Sequence, residues 1–373
     1  LTNLYNSKLF RDIDIALARL LARLAPNDPP AIPLAALLAS RAAGEGHVCI
    51  DLRQWAGHEL KASNESPPLG RCPDLEPWID QLRSSAMVGA ADNHCPLVCD
   101  RHGRIYLQRL YRHEQQLTQR LRQRAASAGQ TLSPDQMKQV QSLLNRYFGK
   151  PPSDGSPDWQ KIAAAITLLK RLCIISGAPG TGKTTTVAKF LGVLIQWTQE
   201  TPLRIHLCAP TGKAAARLGA SLSDASLSMD CPPSVAAALA KLDTSTIHRL
   251  LRPQPGGRAF VFNARNPLPT DVVVVDEASM VDLVLMDRLV QAVPKEARLV
   301  ILGDKDQLAS VEAGAVFGDL CQGAREKSYS TVMRDSIFAL TGMSLSSAEQ
   351  HVPAALPLAD CTVVLQKNYR FDQ

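Results

Sequence analysis

No apolar stretch in the 373 residues approaches the roughly eighteen needed to cross a bilayer as a helix, so no membrane-spanning helix is expected. The opening segment LTNLYNSKLFRDIDIALARLLARL is not expected to act as a secretory leader, because Arg11, Asp12, Asp14, Arg19 and Arg23 interrupt its apolar residues. The first residue is not methionine, which fits a processed or truncated start. Cysteines number nine, an odd count, and are scattered; Cys173 and Cys208 sit inside apolar runs. They suit reduced thiols in a cytoplasmic protein better than a disulfide scaffold. No internal repeat occurs, and only the Ser/Ala-rich stretch 219–240 approaches low complexity. A nuclease-type cluster of metal-binding carboxylates is likewise missing. The excess of Lys and Arg over Asp and Glu is small, 41 to 35, so charge alone leans only mildly toward anionic partners.

What is present divides into two grammars. Between Asp12 and Leu24 the residues Ile13, Leu17, Leu20, Leu21 and Leu24 recur at helical spacing with Arg19 and Arg23 on the other side, which predicts an amphipathic helix. Helical sequence follows at 32–42, a polar loop at 63–77, and a hairpin after Pro96 that turns at Asp100–Gly103. Residues 113–150 read as charged helix, and PPSDGSPD at 151–158 as a linker. Beyond it, apolar runs at 172–176, 205–209, 272–275, 299–302 and 362–365 alternate with helical patterns, the signature of a parallel sheet covered on both faces. The expected organisation is α/β, with a smaller, mainly helical N-terminal domain over 1–112, a connector over 113–157, and a P-loop lobe over 158–373.

The chemistry lies in the second part. LCIIS runs into Gly177-Ala-Pro-Gly180-Thr181-Gly182-Lys183-Thr184 and then into a helical pattern, the strand, loop and helix that a P-loop requires. Glycines let backbone N–H groups close around phosphates at the helix start. Lys183 can reach the β- and γ-phosphates, and the Thr184 hydroxyl can ligate Mg²⁺. Further on, VVVVDEAS puts Asp276 and Glu277 at the end of a buried strand, where one acid can hold Mg²⁺ and the next can activate water. LVILGDKDQLASV ends a third strand with Asp304 and Gln307, a polar amide suited to sensing a γ-phosphate. The bland alternatives are a chance glycine turn and solvated acidic turns; the strand contexts argue against both.

Seven segments in order resemble superfamily-one helicases and, within them, the RecD family of exonuclease V helicase subunits: DWQKIAAA, SGAPGTGKTTT, CAPTGKAAARL, STIHRLL, VVVVDEASM, LGDKDQLASVEAGAVFGDLC and LQKNYRF. AGEGHVCIDL at 43–52 also looks like the RecD N-terminal region. The resemblance implies a RecA-like lobe, ATP and Mg²⁺ as cofactors, single-stranded and duplex-end DNA as substrate, 5′→3′ polarity, and RecB-like and RecC-like partners in double-strand-break repair. Residue by residue it implies that Gln160 meets the adenine edge and that Gly177, Gly180, Thr181, Gly182, Lys183, Thr184 and Thr185 bind nucleotide. Thr184 and Asp276 serve the metal, while Lys183, Glu277, Gln307 and Arg370 serve catalysis. Pro210, Thr211, Lys213, Thr246 and His248 match DNA-contacting segments, with a buried structural histidine as the competing reading of His248.

Two further readings remain open. The chain could be an interaction or regulatory subunit with an incomplete ATPase lobe, docking through its amphipathic N-terminal helix. It could also resemble a stand-alone RecD-like helicase, although the helix-hairpin-helix sequence expected there is missing from 1–150. His94, Cys95, Cys99 and His102 could suggest zinc, but alternation across a hairpin explains them without a metal. The sequence stops three residues after Arg370, ahead of the second RecA-like lobe of such helicases. The isolated polypeptide is therefore expected to bind Mg-ATP weakly, hydrolyse it slowly or not at all, and not unwind DNA.

Overall fold

A computed structural model describes residues 2–63, 66–89, 95–127, 132–198, 202–257, 259–307, 313–314, 316–322, 329–345 and 358–367. The chain forms two compact units: Leu1–Gln116 with Asp282–Val284 and Ser310–Ala315, and Leu117–Val281 with Leu285–Ala309 and Val316–Gln373. No described helix is long and apolar enough to cross a membrane.

The first unit begins with α1 (Thr2–Tyr5), α2 (Asp12–Leu24) and α3 (Ala31–Gly44). Next come β1 (Cys49–Asp51), the short ribbon β2 (Glu59–Leu60) and β3 (Gly70–Arg71), α4 (Leu75–Ser84), and β4 (Val88–Gly89), β5 (Leu97–Cys99) and β6 (Arg104–Leu107). Strands β5 and β6 form the expected hairpin and extend into a sheet ordered β1-β6-β5-β4. The core of this unit takes Ala18 and Leu21 from α2, a continuous run of α3 from Leu34 to Ala39, and Trp78 and Leu82 from α4. Asp14 of α2 is wholly buried; Arg11 pairs with it at 2.8 Å and the Ser40 hydroxyl donates to it at 2.6 Å. The apolar stripe of α2 divides between core and solvent. Ile15, Ala18 and Leu21 face inward, while Ile13, Leu20 and Leu24 are exposed at 64%, 43% and 59%.

Helix α5 (Gln108–Ala126) continues the chain, followed in the second unit by α6 (Pro134–Phe148), α7 (Trp159–Leu169), β7 (Leu172–Gly177), α8 (Lys183–Trp197), β8 (Ile205–Ala209), α9 (Gly212–Ser228), α10 (Pro233–Ala240), β9 (Thr244–Thr246) and α11 (Ile247–Leu251). The remainder is β10 (Val272–Val275), α12 (Leu283–Ala292), β11 (Arg298–Gly303), α13 (Val316–Cys321), α14 (Thr331–Thr341) and β12 (Thr362–Leu365). Six strands build one sheet in the order β12-β7-β11-β10-β8-β9, every pairing parallel. Strands β7, β10 and β11 are buried at every residue, as their continuous apolar sequences require when helices cover both faces.

Parallel pairing brings all six strand ends to one edge, where an open α/β sheet gathers its ligand loops. The opposite edge is held by cations on helix ends. Arg298, at the start of β11, donates to the Thr167 and Leu168 carbonyls at 3.1 and 3.2 Å, closing the end of α7. Arg124 donates to the carbonyls of Val293, Pro294 and Ala297 beyond α12, and Lys170 to that of Ala125 at 3.2 Å. The Thr167, Leu168 and Ala125 carbonyls lie in the last turns of α7 and α5, where the helix itself supplies no donor, and a cation complements both the orphan acceptors and the negative end of the dipole.

Candidate functional site

The turn between β7 and α8 is built by its glycines. A Cβ on Gly177 would collide with the Thr181 side chain, so this position leaves no room for a larger residue. Gly182 caps α8 at φ 78°, a left-handed conformation that glycine adopts without strain. The Thr181 hydroxyl donates to the Ala178 carbonyl at 2.8 Å and the Thr186 hydroxyl to that of Gly182 at 2.9 Å, so the loop is braced from within. The Lys183 ammonium donates to the carbonyls of Gly177 and Ala178. Burial lowers its pKa, while Asp304, Glu277 and Asp276 act in the opposite direction. Thr184 is half-buried on the first turn of the helix.

Strand β10 delivers the acidic pair. Asp276 accepts from the Glu277 N–H at 2.9 Å, and its own N–H bonds the Cys208 carbonyl of β8 at 2.8 Å. Burial raises the pKa of Asp276; the Glu277 charge adds to that, and the Glu277 N–H, Lys183 and Arg217 oppose it. Glu277 stands at φ 51°, left-handed and without the freedom of glycine, at the turn into the short 3₁₀ segment Ala278–Met280. Beside it, β11 ends at Gly303 and leads to Asp304, which is buried and accepts from the Asp306 N–H at 3.1 Å. Lys305 N–H bonds the Ser176 hydroxyl of β7 at 3.2 Å, tying this loop to the strand that feeds the P-loop. Gln307 is exposed just beyond.

Gln160 lies on the first turn of α7, where Asp158 caps the helix by accepting from the Gln160 and Lys161 N–H groups at 3.0 and 3.1 Å. Its side-chain amide donates to the Thr181 carbonyl at 3.1 Å. A hollow of about 340 Å³ opens here, lined among others by Trp159, Gln160, Thr181, Leu365 and Lys367. Thr185 stands apart from the phosphate turn: exposed, it borders a second hollow of about 520 Å³ with Tyr147, Lys189, Ser221 and Asp224.

The segments expected at DNA emerge side by side. Register pairs Ala209 with Thr246, so the loop after β8 and the end of β9 leave the sheet as neighbours. Pro210 is half-buried, Thr211 and Lys213 are exposed, and the Thr211 hydroxyl caps α9 by accepting from Ala214 N–H at 3.2 Å. Thr246 caps α11 by accepting from Arg249 N–H at 3.2 Å. His248 is exposed, against the buried structural reading, and its ring centroid lies 5.9 Å from that of Phe260. Arg370 and His94 fall outside the described residues. Cys95 and Cys99 are half-buried, His102 is exposed, and among the described residues no group of three or more His, Cys, Asp or Glu is arranged to hold a metal.

Sequence reasoning passed over two contributors. Arg217 of α9 acts electrostatically on both Lys183 and Asp276; its only sequence signal was a place in CAPTGKAAARL. Asp158 fixes the helix start on which Gln160 sits, and its position before an apolar helical run is an N-cap signal.

Two family models match: the N-terminal domain of RecBCD enzyme subunit RecD over residues 6–106, and an AAA domain over residues 160–313. RecBCD enzyme subunit RecD of Mycolicibacterium smegmatis is 36% identical over 92% of this chain and 58% of its own length. The protein of the same name from Haemophilus influenzae is 34% identical over 92% of this chain and 54% of its own length. The ATP-dependent RecD2 DNA helicase of Deinococcus radiodurans is 35% identical over 50% of this chain and 25% of its own length. The chain thus spans little more than half the length of the RecD subunits it matches. Along nearly all of its own length, from the first unit through the P-loop sheet, it is a relative of the RecD subunits.

Proposed function

We propose that the chain supplies the first RecA-like motor lobe and the partner-docking region of an ATP-driven 5′→3′ DNA helicase subunit. It works in the cytoplasm within an exonuclease V-type complex, at double-strand ends in repair and recombination. The observation that carries the reading is the convergence, at one edge of a parallel sheet, of the P-loop, the Asp276–Glu277 pair and the Gln307 loop with the paired segments at Pro210 and Thr246.

In this reading the backbone of Gly180, Thr181 and Gly182 receives the phosphates, and Lys183 leaves its carbonyl partners for the β- and γ-oxygens. Gln160 reads the adenine edge beside the hollow that it lines. Thr184 and Asp276 would hold Mg²⁺. One hydroxyl and one carboxylate, without a protein cage, suit an ion that keeps water and phosphate oxygens as its other ligands. When bound, that ion neutralises charge on the phosphates. Glu277 accepts the proton of the attacking water, Gln307 contacts the γ-phosphate, and Arg370 stabilises charge on the transferred group. Thr211, Lys213, Thr246 and His248 contact DNA phosphates without reading sequence, as a motor requires. Ile13, Leu20 and Leu24, exposed on α2, dock the first unit onto RecB-like or RecC-like subunits.

The subunit reading is favoured over a stand-alone helicase because the RecD subunits align over 92% of the chain, the RecD2 helicase over only 50%. The test is DNA-stimulated ATP hydrolysis by the protein assembled with its partners. Lys183→Ala should lower turnover by ~10²-fold or more, as loss of a phosphate-stabilising group does. Turnover unchanged at saturating ATP refutes the reading.

A further inference from the structure

Lys161 is the second unusual feature of the first turn of α7. Its neighbours in WQKIAAAITLL are almost all apolar, and its side chain is 0% exposed. Its ammonium donates to the Asn145 side-chain oxygen at 2.6 Å and to the Gly149 carbonyl at 2.8 Å, both at the C-terminal end of α6. None of the ion pairs found among the described residues involves it. Burial lowers its pKa, and the nearby Asp158 acts the other way. An ammonium is a costly filler for such a position, where methionine offers similar length and no desolvation penalty. What it provides and methionine does not is a pair of directed bonds. These fasten the start of α7 to the end of α6, while Asp158 fixes the same turn through the backbone of residues 160 and 161.

The adjacent residue is Gln160, whose amide reaches Thr181 of the P-loop and borders the 340 Å³ hollow. We propose that Lys161 is a positioning residue for nucleobase recognition, clamping α7 onto the end of α6 so that Gln160 is held between the P-loop and the base. The inference rests on the functional reading above and adds to it a determinant of adenine preference that contacts neither nucleotide nor P-loop. A glutamine amide matches the donor and acceptor of adenine N6 and N7, and guanine presents an acceptor in place of the N6 donor. Misplacing that amide therefore weakens discrimination without touching the groups that cleave phosphate.

The test is a double-mutant cycle on the partner-assembled protein, with ATP and GTP as alternative substrates. Lys161→Met should raise KM for ATP and reduce the ATP-over-GTP preference in kcat/KM by roughly tenfold, the worth of about one hydrogen bond. Its kcat at saturating ATP should stay within about twofold of the parent. Gln160→Ala should lose the same preference, and the double variant should be no worse than the poorer single, because both changes act through one amide. Asn145→Ala, which removes one acceptor without altering α7, should give a smaller shift of the same kind and keeps the test open if Lys161→Met does not fold. An unchanged preference in Lys161→Met and Asn145→Ala, or losses that add to that of Gln160→Ala, overturns the proposal. A parent protein with no DNA-stimulated hydrolysis overturns the functional reading, and the proposal with it.

Discussion

Glu277 occupies a backbone conformation that its own chemistry makes expensive. At φ 51° the Cβ of an L-residue crowds the following carbonyl, at a cost of about 1–2 kcal/mol that glycine does not bear. Glycine surrenders more chain entropy on folding, which returns about 0.5–1 kcal/mol of that gain. Removing the carboxylate also relieves the like charge that helps to raise the pKa of Asp276. The net expectation for Glu277→Gly is a protein about 0.5–1 kcal/mol more stable without nucleotide, a rise of ~1–4 °C in the melting transition of a unit this size. Glu277→Ala keeps the strained backbone and should move the transition little, and Glu277→Asn should fall between, since asparagine tolerates the left-handed region. All three should lose hydrolysis. Scanning calorimetry of the series, beside ATPase assays, separates the two effects. If Glu277→Gly melts no higher than Glu277→Ala, the strain is not stored at this residue and the reasoning fails.

In the first unit, burial pushes the Asp14 carboxyl up, but the bonds from Arg11 and Ser40 overcome it and hold its pKa below the usual value of 3.8. Its contribution is therefore full above that value and disappears as pH falls through the depressed folded pKa. Asp14→Ala should cost ~2 kcal/mol at neutral pH and flatten the acid limb of a urea-midpoint profile; an unaltered acid limb contradicts the assignment. At the far edge of the sheet, burial pulls the Arg298 pKa down to about 10 while its guanidinium serves two helix-end carbonyls. Arg298→Met should cost about 1–3 kcal/mol in thermal unfolding by leaving them unpartnered, and a neutral result would mean that water replaces the cap.

The five strands legible in the sequence are those whose apolar runs reflect burial on both faces, such as VVVV at β10. The sixth, β9, is Thr-Ser-Thr at the sheet edge, half-buried throughout, and no hydrophobic pattern announces it. In the sheet of the first unit the β5–β6 hairpin was legible from its turn, whereas β1 and β4 were hidden for another reason: they span three and two residues, too short for alternation to register. Segments 282–284 and 310–315 belong to that unit although they lie far along the chain, a long-range fact without a local signal. Candidate site residues were readable because a phosphate-binding turn and an acid pair are specified within a few consecutive positions. Arg217, Lys161 and the unusual φ of Glu277 were not, because each depends on what another element brings beside it.

The cations at the lower edge of the sheet have a consequence for how variation in this protein is felt. The hydrogen bonds that Arg124, Lys170 and Arg298 make among the described residues go to main-chain carbonyls, which every residue type carries, so the positions that supply the acceptors are free to vary in side chain, as Pro294 among them illustrates. Loss of one of these cations drains the folded population, a deficit that more expression or a lower temperature repairs. Under the proposed function, loss of Lys183 or Glu277 should leave abundant protein that does not turn over, which no dose restores. Suppressor screens at graded expression should therefore sort lesions by edge: dosage-curable below, dosage-blind above.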